Sequence, residues 1–554
     1  MSDTTATGDS VFEALVRERF DALVERFPLF GSYLGLHEHD GLLADGTRDA
    51  QLQDIEDTRR FIADLEAIDA ESLSPVNRFE RELALHASRR QMFDDETYRL
   101  WERRVNGTDE IGDGLFLLFA RTARPFAERL ESMTSRLEAA PRVLQEQRSR
   151  LGEHPQRMWN ELEIDAATSL PGLFGEVMTA AKGEFGESSP EVSRLEAATR
   201  EAQAALEDYA AWLRQQLDRA DDDFALGSEK YDELVRLREF DGLTTDDILA
   251  IGEQQLAENK ARRREVAAQI DPNGTEQEVL DRVKSDQPRS FDEALDGYRR
   301  AMGEARAYVI DNGIASMPPS EKLSIVPTPE YLRRVMPFAA YFPAAKFEPV
   351  RDGVYIVTPS VDGEARAMRE HNWGSIYNTS IHEAYPGHHQ QMSAALDNPS
   401  VVRLLVYAPE FVEGWAMYCE QMMREQGFDT APERLLIMYT DAIWRACRII
   451  LDIRLHRGEM TVDEAIDFMV EHTGFERPNA TAEVQRYTYT PTYQLSYLLG
   501  KVLLLRLRAD EQARLGDKFS LRGFHDALLA GGNIPVSFHR RALTANSGNG
   551  SHPG

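Results

Sequence analysis

Three observations predict a mostly α-helical protein of two lobes with a small β-sheet set among the helices. Apolar residues recur at three- and four-residue steps through most of the first three hundred positions, and prolines with β-branched runs interrupt that rhythm between about 316 and 360. Helical periodicity then returns from Trp373 to about Leu507. At 554 residues the chain has room for several average domains or one large helical domain with a deep cleft.

The first helix is predicted from Val11, Phe12, Leu15, Val16, Phe20, Leu23, Val24 and Phe27, which fall on one apolar stripe. Similar runs at Leu130 to Leu151, Val192 to Leu217 and Phe291 to Ile310 predict further helices, with Pro125, Pro141, Pro171 and Pro190 as starts or breaks. Asp, Glu and Arg crowd the opposite faces as a solvated surface. Pro318, Pro319, Pro327, Pro329, Pro337, Pro343 and Pro349 then forbid a long helix, while Leu323-Ser-Ile-Val326 and Val354-Tyr-Ile-Val357 predict short strands. No Gly/Ser-rich or Pro-rich linker separates the halves. The expected organisation is a helical lobe over 1–315, a lobe with the strands and most of the unusual chemistry over 316–545, and a disordered tail over 546–554.

Acidic residues number 94 against 63 basic ones, a formal charge of -31. That balance excludes a nucleic-acid groove or an anionic-lipid surface, since both need a basic face. Only about eight of the basic residues are lysine, a composition that fits an acidic surface adapted to a salty, halophilic cytoplasm. Cys419 and Cys447 lie in apolar helical segments as core residues, too few for a disulfide framework or a cysteine-based zinc cluster. Met1 to Ser10 is polar, without the apolar stretch of a signal peptide, and no window approaches 18 uncharged apolar residues. The expectation is a soluble, cytoplasmic protein.

Three histidines fall within eight residues in His382-Glu-Ala-Tyr-Pro-Gly-His388-His389. In the HExxH zinc motif, two histidines four apart on a helix share one metal ion, and the glutamate after the first acts as base for the metal-bound water. Here the second histidine is displaced. On a straight helix His388 would point about 120° away, and His389 would lie roughly 10 Å along the axis. Pro386 breaks the ladder and Gly387 relieves the backbone, so a bulge at Tyr385-Pro386-Gly387 brings His388 onto the metal, with His389 as its rival. A zinc site of this kind needs a third protein ligand and an open position. Glu413, a carboxylate in the apolar run Phe411-Val-Glu-Gly-Trp-Ala, is the first candidate, and Glu420 is the alternative.

The segment Ile381 to Gln390, with Glu413-Gly-Trp-Ala416, resembles the bacterial and archaeal family DUF885. So do Trp444-Arg-Ala-Cys-Arg448, Asp452, His456, Arg486-Tyr487, Ser496-Tyr-Leu-Leu-Gly500 and the stretch from Phe519 to Pro535. That family is regarded as a set of zinc metallopeptidases and is distantly similar to thermostable carboxypeptidases and oligopeptidase-type gluzincins. The resemblance implies a two-lobed, metallopeptidase-like helical fold with a deep cleft and a short sheet near the metal helix. It implies Zn2+ on His382, His388 and Glu413. It also implies a late-chain tyrosine as carbonyl donor, with Tyr497 first and Tyr493 second. Arg448, Asp452 and His456, four apart, are expected to face inward, with His456 or Asp452 orienting a ligand and an arginine meeting the substrate carboxylate. Two departures stand out: the Pro-Gly insertion, and Pro491-Thr-Tyr-Gln where many relatives have Pro-Gly-Gln.

The expected function is a zinc-dependent hydrolase of the carboxypeptidase or oligopeptidase type, cleaving peptide bonds of oligopeptides with Glu383 as base. Two alternatives use the same residues. One is a metal-dependent amidase or esterase acting on a small molecule. The other is a non-catalytic helical protein with a structural metal, closed by both His388 and His389 with His382 and Glu413. The strand at Val354 to Val357 is expected either to offer its edge to an extended substrate or to be an ordinary core strand.

Overall fold

Helices and one small sheet account for the regular structure in the computed structural model, which describes residues 2–319, 321–328, 339–359 and 368–546. The chain divides into two compact units. Described residues 2–224 and 345–350 form the first, and 225–328, 339–344 and 351–546 the second.

In the first unit, α1 (Ser2–Arg26) buries Phe12, Val16, Phe20 and Val24 at a strict four-residue step, while Val11 faces solvent. Next come α2 (Gly107–Ala120), α3 (Phe126–Arg148), α4 (Arg157–Ser169) and α5 (Pro190–Gln216). Helices α3 and α5 pack side by side, burying Met133, Leu137, Ala140 and Leu144 from one and Leu195, Ala202, Leu206 and Leu213 from the other. Pro171 and Pro190 open their helices, where a missing N–H has no partner to lose. Pro141, expected as a start or break, instead sits inside α3: Ala140 and Val143 beside it are buried, and tertiary packing outweighs the lost ladder bond. Residues 345–350 join this unit because Phe347 N–H donates to Leu34 O at 2.9 Å and Glu348 meets His37 Nε2 at 2.9 Å.

The second unit begins with α6 (Ser228–Arg238), α7 (Thr245–Ile270) and α8 (Phe291–Asp311). Three strands follow, β1 (Lys322–Pro327), β2 (Ala339–Phe342) and β3 (Asp352–Val357). Then come α9 (Trp373–Glu383), α10 (His388–Ala395), α11 (Pro409–Glu425), α12 (Pro432–His456), α13 (Arg477–Tyr487) and α14 (Ser496–Leu515). The division falls after Phe224 rather than at the expected 315/316. The reason is packing: α7 lies along α12, α8 against α9, and Tyr231 of α6 donates to Asp452 of α12 at 2.5 Å.

The strand order is β1-β3-β2, with β3 parallel to β1 and antiparallel to β2. Both predicted strands form. Yet β3 is central, hydrogen-bonded on both edges, and Tyr355, Ile356 and Val357 are buried. It is a core strand and has no edge left for a substrate, the second of the two readings expected. Strand β2, lying between prolines and lacking β-branched residues, escaped the sequence pattern. No helix among the described residues is long and apolar enough to cross a membrane. Pro329, Pro337 and the tail beyond Asn546 lie outside the described residues.

Candidate metal centre

Helix α9 starts where the Asn372 side chain accepts from Ser375 N–H, and it carries His382 and Glu383 in its last turn. It stops there, and α10 restarts at His388. Pro386 cannot feed the ladder, and Gly387 passes so close to the previous turn that a Cβ would stand 1.9 Å from His382 O. Only glycine fits. Gly387 N–H donates to Ile381 O at 3.1 Å, and the indole of Trp415 donates to Pro386 O at 2.8 Å, which pins the break. The two-residue bulge read from the sequence is therefore present. It brings the rings of His382 and His388 to 4.9 Å, nearly perpendicular at 88°.

Glu413 comes from α11, with Oε2 at 3.9 Å from His382 Nε2 and 3.4 Å from His388 Nε2. One ligand atom from each of the three residues lies within 4.8 Å of the others. Helix α11 is seated by a backbone contact with α14: a Cβ on Gly500 would fall 2.0 Å from Glu410 O, and one on Gly414 2.5 Å from Gly500 C. This glycine pair sets Glu413 in register with Tyr497, one turn before Gly500. Burial alone would push the Glu413 carboxyl up, but the facing His388 and His382 bring it down to about 2. Burial would push His388 down, and Glu413 instead holds it up at about 9.

His382 presents Nε2 to the cluster because Nδ1 is held by Glu420 Oε1 at 2.7 Å. Glu420 in turn accepts from Asn378 Nδ2 at 3.1 Å, and the same amide reaches Asp441 at 3.0 Å. Glu420, the alternative ligand, thus lies behind the histidine and fixes its tautomer and tilt. His389 turns away: Nδ1 meets Tyr341 OH at 2.9 Å and Nε2 meets Glu321 Oε1 at 3.2 Å, so both ring nitrogens are engaged outside the cluster.

Glu383 is half-buried, and its charge acts on His388 and on Tyr355 of β3. Tyr493 and Tyr497 meet edge to face at 6.1 Å. Burial and then the charge of Glu413 raise both phenols, so each stays a proton donor at neutral pH. The Arg448 guanidinium carbon stands 4.8 Å from the Tyr497 ring, its Nε donates to Tyr487 OH at 3.0 Å, and its charge reaches Glu413. The polar face of α12 turns inward as expected, with Arg448, Asp452 and His456 all buried. Asp452 and His456 bond to α6 and to the segment 487–492. Asp452 takes Tyr231 OH at 2.5 Å and Thr492 N–H at 2.8 Å, and His456 meets Tyr487 O at 3.0 Å. They hold the loop before Tyr493.

Sequence reasoning missed Asn378 and Asp441. Asn378 stands one turn before His382 but among Ser375, Thr379 and Ser380, so it did not stand out; Asp441 carried no signal, because its helix looks solvent-facing at that point.

The centre and its fold define a mostly helical protein with two imidazoles and one carboxylate converging from three helices, a donor set of the kind that can hold zinc. The chain belongs to the family described as bacterial protein of unknown function (DUF885), whose model matches residues 28–543. Among solved structures, it is similar to one from Colwellia psychrerythraea titled "putative lipoprotein", with 19% identity, TM-score 0.85, and coverage of 98% of this chain and 100% of that one. It is also similar to a "putative lipoprotein of unknown function" from Shewanella oneidensis, with 22% identity, TM-score 0.78, and coverage of 96% and 99%. No curated protein matches.

Proposed function

We propose that the protein is a zinc-dependent peptidase acting on oligopeptides. The observation that carries this reading is the convergence of His382, His388 and Glu413, with the charge of Glu383 acting on His388 and that of Glu413 on Tyr493 and Tyr497. His382, His388 and Glu413 would hold a zinc ion, which when bound would act as a Lewis acid toward the scissile carbonyl. Glu383 takes a proton from the attacking water at its carboxylate and returns it to the leaving amine. Tyr497, and second Tyr493, donates a hydrogen bond to the oxygen on which negative charge develops. Arg448 keeps Tyr497 in place through its ring face. The metallopeptidase-like, two-lobed character of the fold and the cytoplasmic location belong to the same proposal.

The removal of His389 from the cluster favours this reading over a closed structural site, which would need its ring as a fourth ligand. The test is hydrolysis of an oligopeptide panel beside small amides and esters, with metal content measured on the same samples. Chelation should abolish peptide cleavage. Glu383→Gln should keep the metal yet lower turnover on the order of 10²-fold or more, and Tyr497→Phe roughly 10²-fold with KM little changed. Cleavage that survives chelation, or an active Gln variant, refutes the mechanism; turnover of the small amides or esters alone moves the protein to that class.

A further inference from the structure

Arg448 and Arg486 share a single carboxylate. Arg448 Nη2 reaches Glu483 Oε2 at 2.9 Å, and Arg486 Nη2 reaches the same oxygen at 3.1 Å. Tyr487 OH adds a neutral hydrogen bond to that oxygen at 2.6 Å. The two guanidinium groups thus depend on one carboxylate here, and a guanidinium that shares its partner can take a second anion, provided it is accessible.

The two arginines differ in that respect. Arg448 is 4% exposed, with Nε on Tyr487 and its flat face covered by Trp444 at 4.0 Å and Tyr497 at 4.8 Å. Its contacts are made. Arg486 has a side chain 32% exposed, and beyond Glu483 it makes a long hydrogen bond of 3.4 Å to Gln494 Oε1. Gln494 adjoins Tyr493, and Tyr493 meets Tyr497 edge to face. The Tyr493 phenol feels the charges of Glu413, Arg486 and Arg448. A planar guanidinium braced by one carboxylate offers the remaining edge of its fork to another.

We propose that Arg486, braced by Glu483 next to Tyr493, binds the free C-terminal carboxylate of the peptide substrate, so that cleavage releases residues from the C-terminal end. The inference rests on the peptidase reading above and moves the carboxylate contact from Arg448, the arginine singled out in the sequence, to Arg486. Arg448 becomes a positioning residue: it shares Glu483 and supports Tyr497.

Binding separates this inference from the chemistry. The zinc-supplied Glu383→Gln protein is titrated calorimetrically with an N-acetylated tripeptide as the free acid and as its C-terminal amide. The acid should bind on the order of 10- to 100-fold tighter than the amide. Arg486→Gln in the same background should erase that ratio, and Arg486→Lys, which keeps the charge without the fork, should restore only part of it. Equal binding of acid and amide, a preference that survives Arg486→Gln, or no binding of either peptide overturns the proposal. Hydrolysis by the protein with Glu383 intact is scored separately. An acid preference in binding without hydrolysis leaves the carboxylate site standing and sinks the peptidase reading; hydrolysis with no acid preference does the reverse.

Discussion

Glu163, in the first unit, and Glu413, in the second, are both carboxylates drawn out of water among helices, and their neighbours send them in opposite directions. Glu163 of α4 accepts from Thr108 N–H at 3.0 Å and Thr108 Oγ1 at 2.8 Å, at the start of α2, and from Tyr209 OH of α5 at 3.1 Å, with Arg104 Nη2 farther off at 3.7 Å. Burial still dominates, and its carboxyl is pushed up to about 7. Glu413 faces two imidazoles and is drawn down to about 2. The first arrangement ties three helices together and is complete as it stands. The second places lone-pair-bearing atoms of three residues around a common point, an arrangement completed by a shared cation, whether a proton or a metal ion.

The largest effect expected from this contrast is at His388. Replacing it with Ala should abolish metal retention, because two of the three donors cannot hold zinc at an open site. His389→Ala, one residue on, should weaken retention far less, since its ring contacts Tyr341 and Glu321 and not the cluster. Metal analysis of both purified variants decides it. The reverse order would mean that His389 swings into the site and that the two-residue bulge is not the working geometry.

A smaller effect is expected at Glu420. Its hydrogen bond to His382 Nδ1 sets which nitrogen faces the cluster, and losing such a partner behind a metal ligand typically costs 10- to 100-fold in metal affinity. Glu420→Gln should fall in that range, with the peptide pH profile shifted along with it. Full metal affinity in the Gln variant would reduce Glu420 to packing, and the likeness between a satisfied buried acid and this one would then be closer than its geometry implies.

The ligands were legible in the sequence because each violates a local rule: three histidines around a Pro-Gly break, and a carboxylate inside an apolar run. The support behind them was not. Glu420 sits near charged residues at a helix end and reads as solvated, yet the packing of α9 on α11 buries it. The inward face of α12 was visible from its apolar flanks, but its partners, Tyr231 and Thr492, lie 221 and 40 residues from Asp452 and no spacing announces them. The same holds for the sheet: strand propensity located β1 and β3, whereas the central place of β3 depends on β2, whose residues carry no strand pattern. Helix–helix seating was half legible, since Gly414 and Gly500 stood in the motifs without showing that they touch one another.

The smallest effect is one of stability, and it tests the other half of the comparison. An ordinary glutamate ionises near 4.5, and Glu163 in the folded chain is raised to about 7. Between those values the folded protein holds a proton that the unfolded chain has released, so stability falls as pH rises through the window and is restored as pH drops below it. The shift corresponds to at most about 3 kcal/mol. Glu163→Gln keeps the shape and an acceptor for Thr108 N–H and Tyr209 OH but removes the titration. Its thermal unfolding midpoint should therefore decline less than the wild type's between pH 4.5 and 7.5, by a few degrees. Parallel profiles for the two proteins would mean that the three donors around Glu163 keep it ionised throughout, and that the two buried carboxylates differ in what they bind rather than in whether they carry charge.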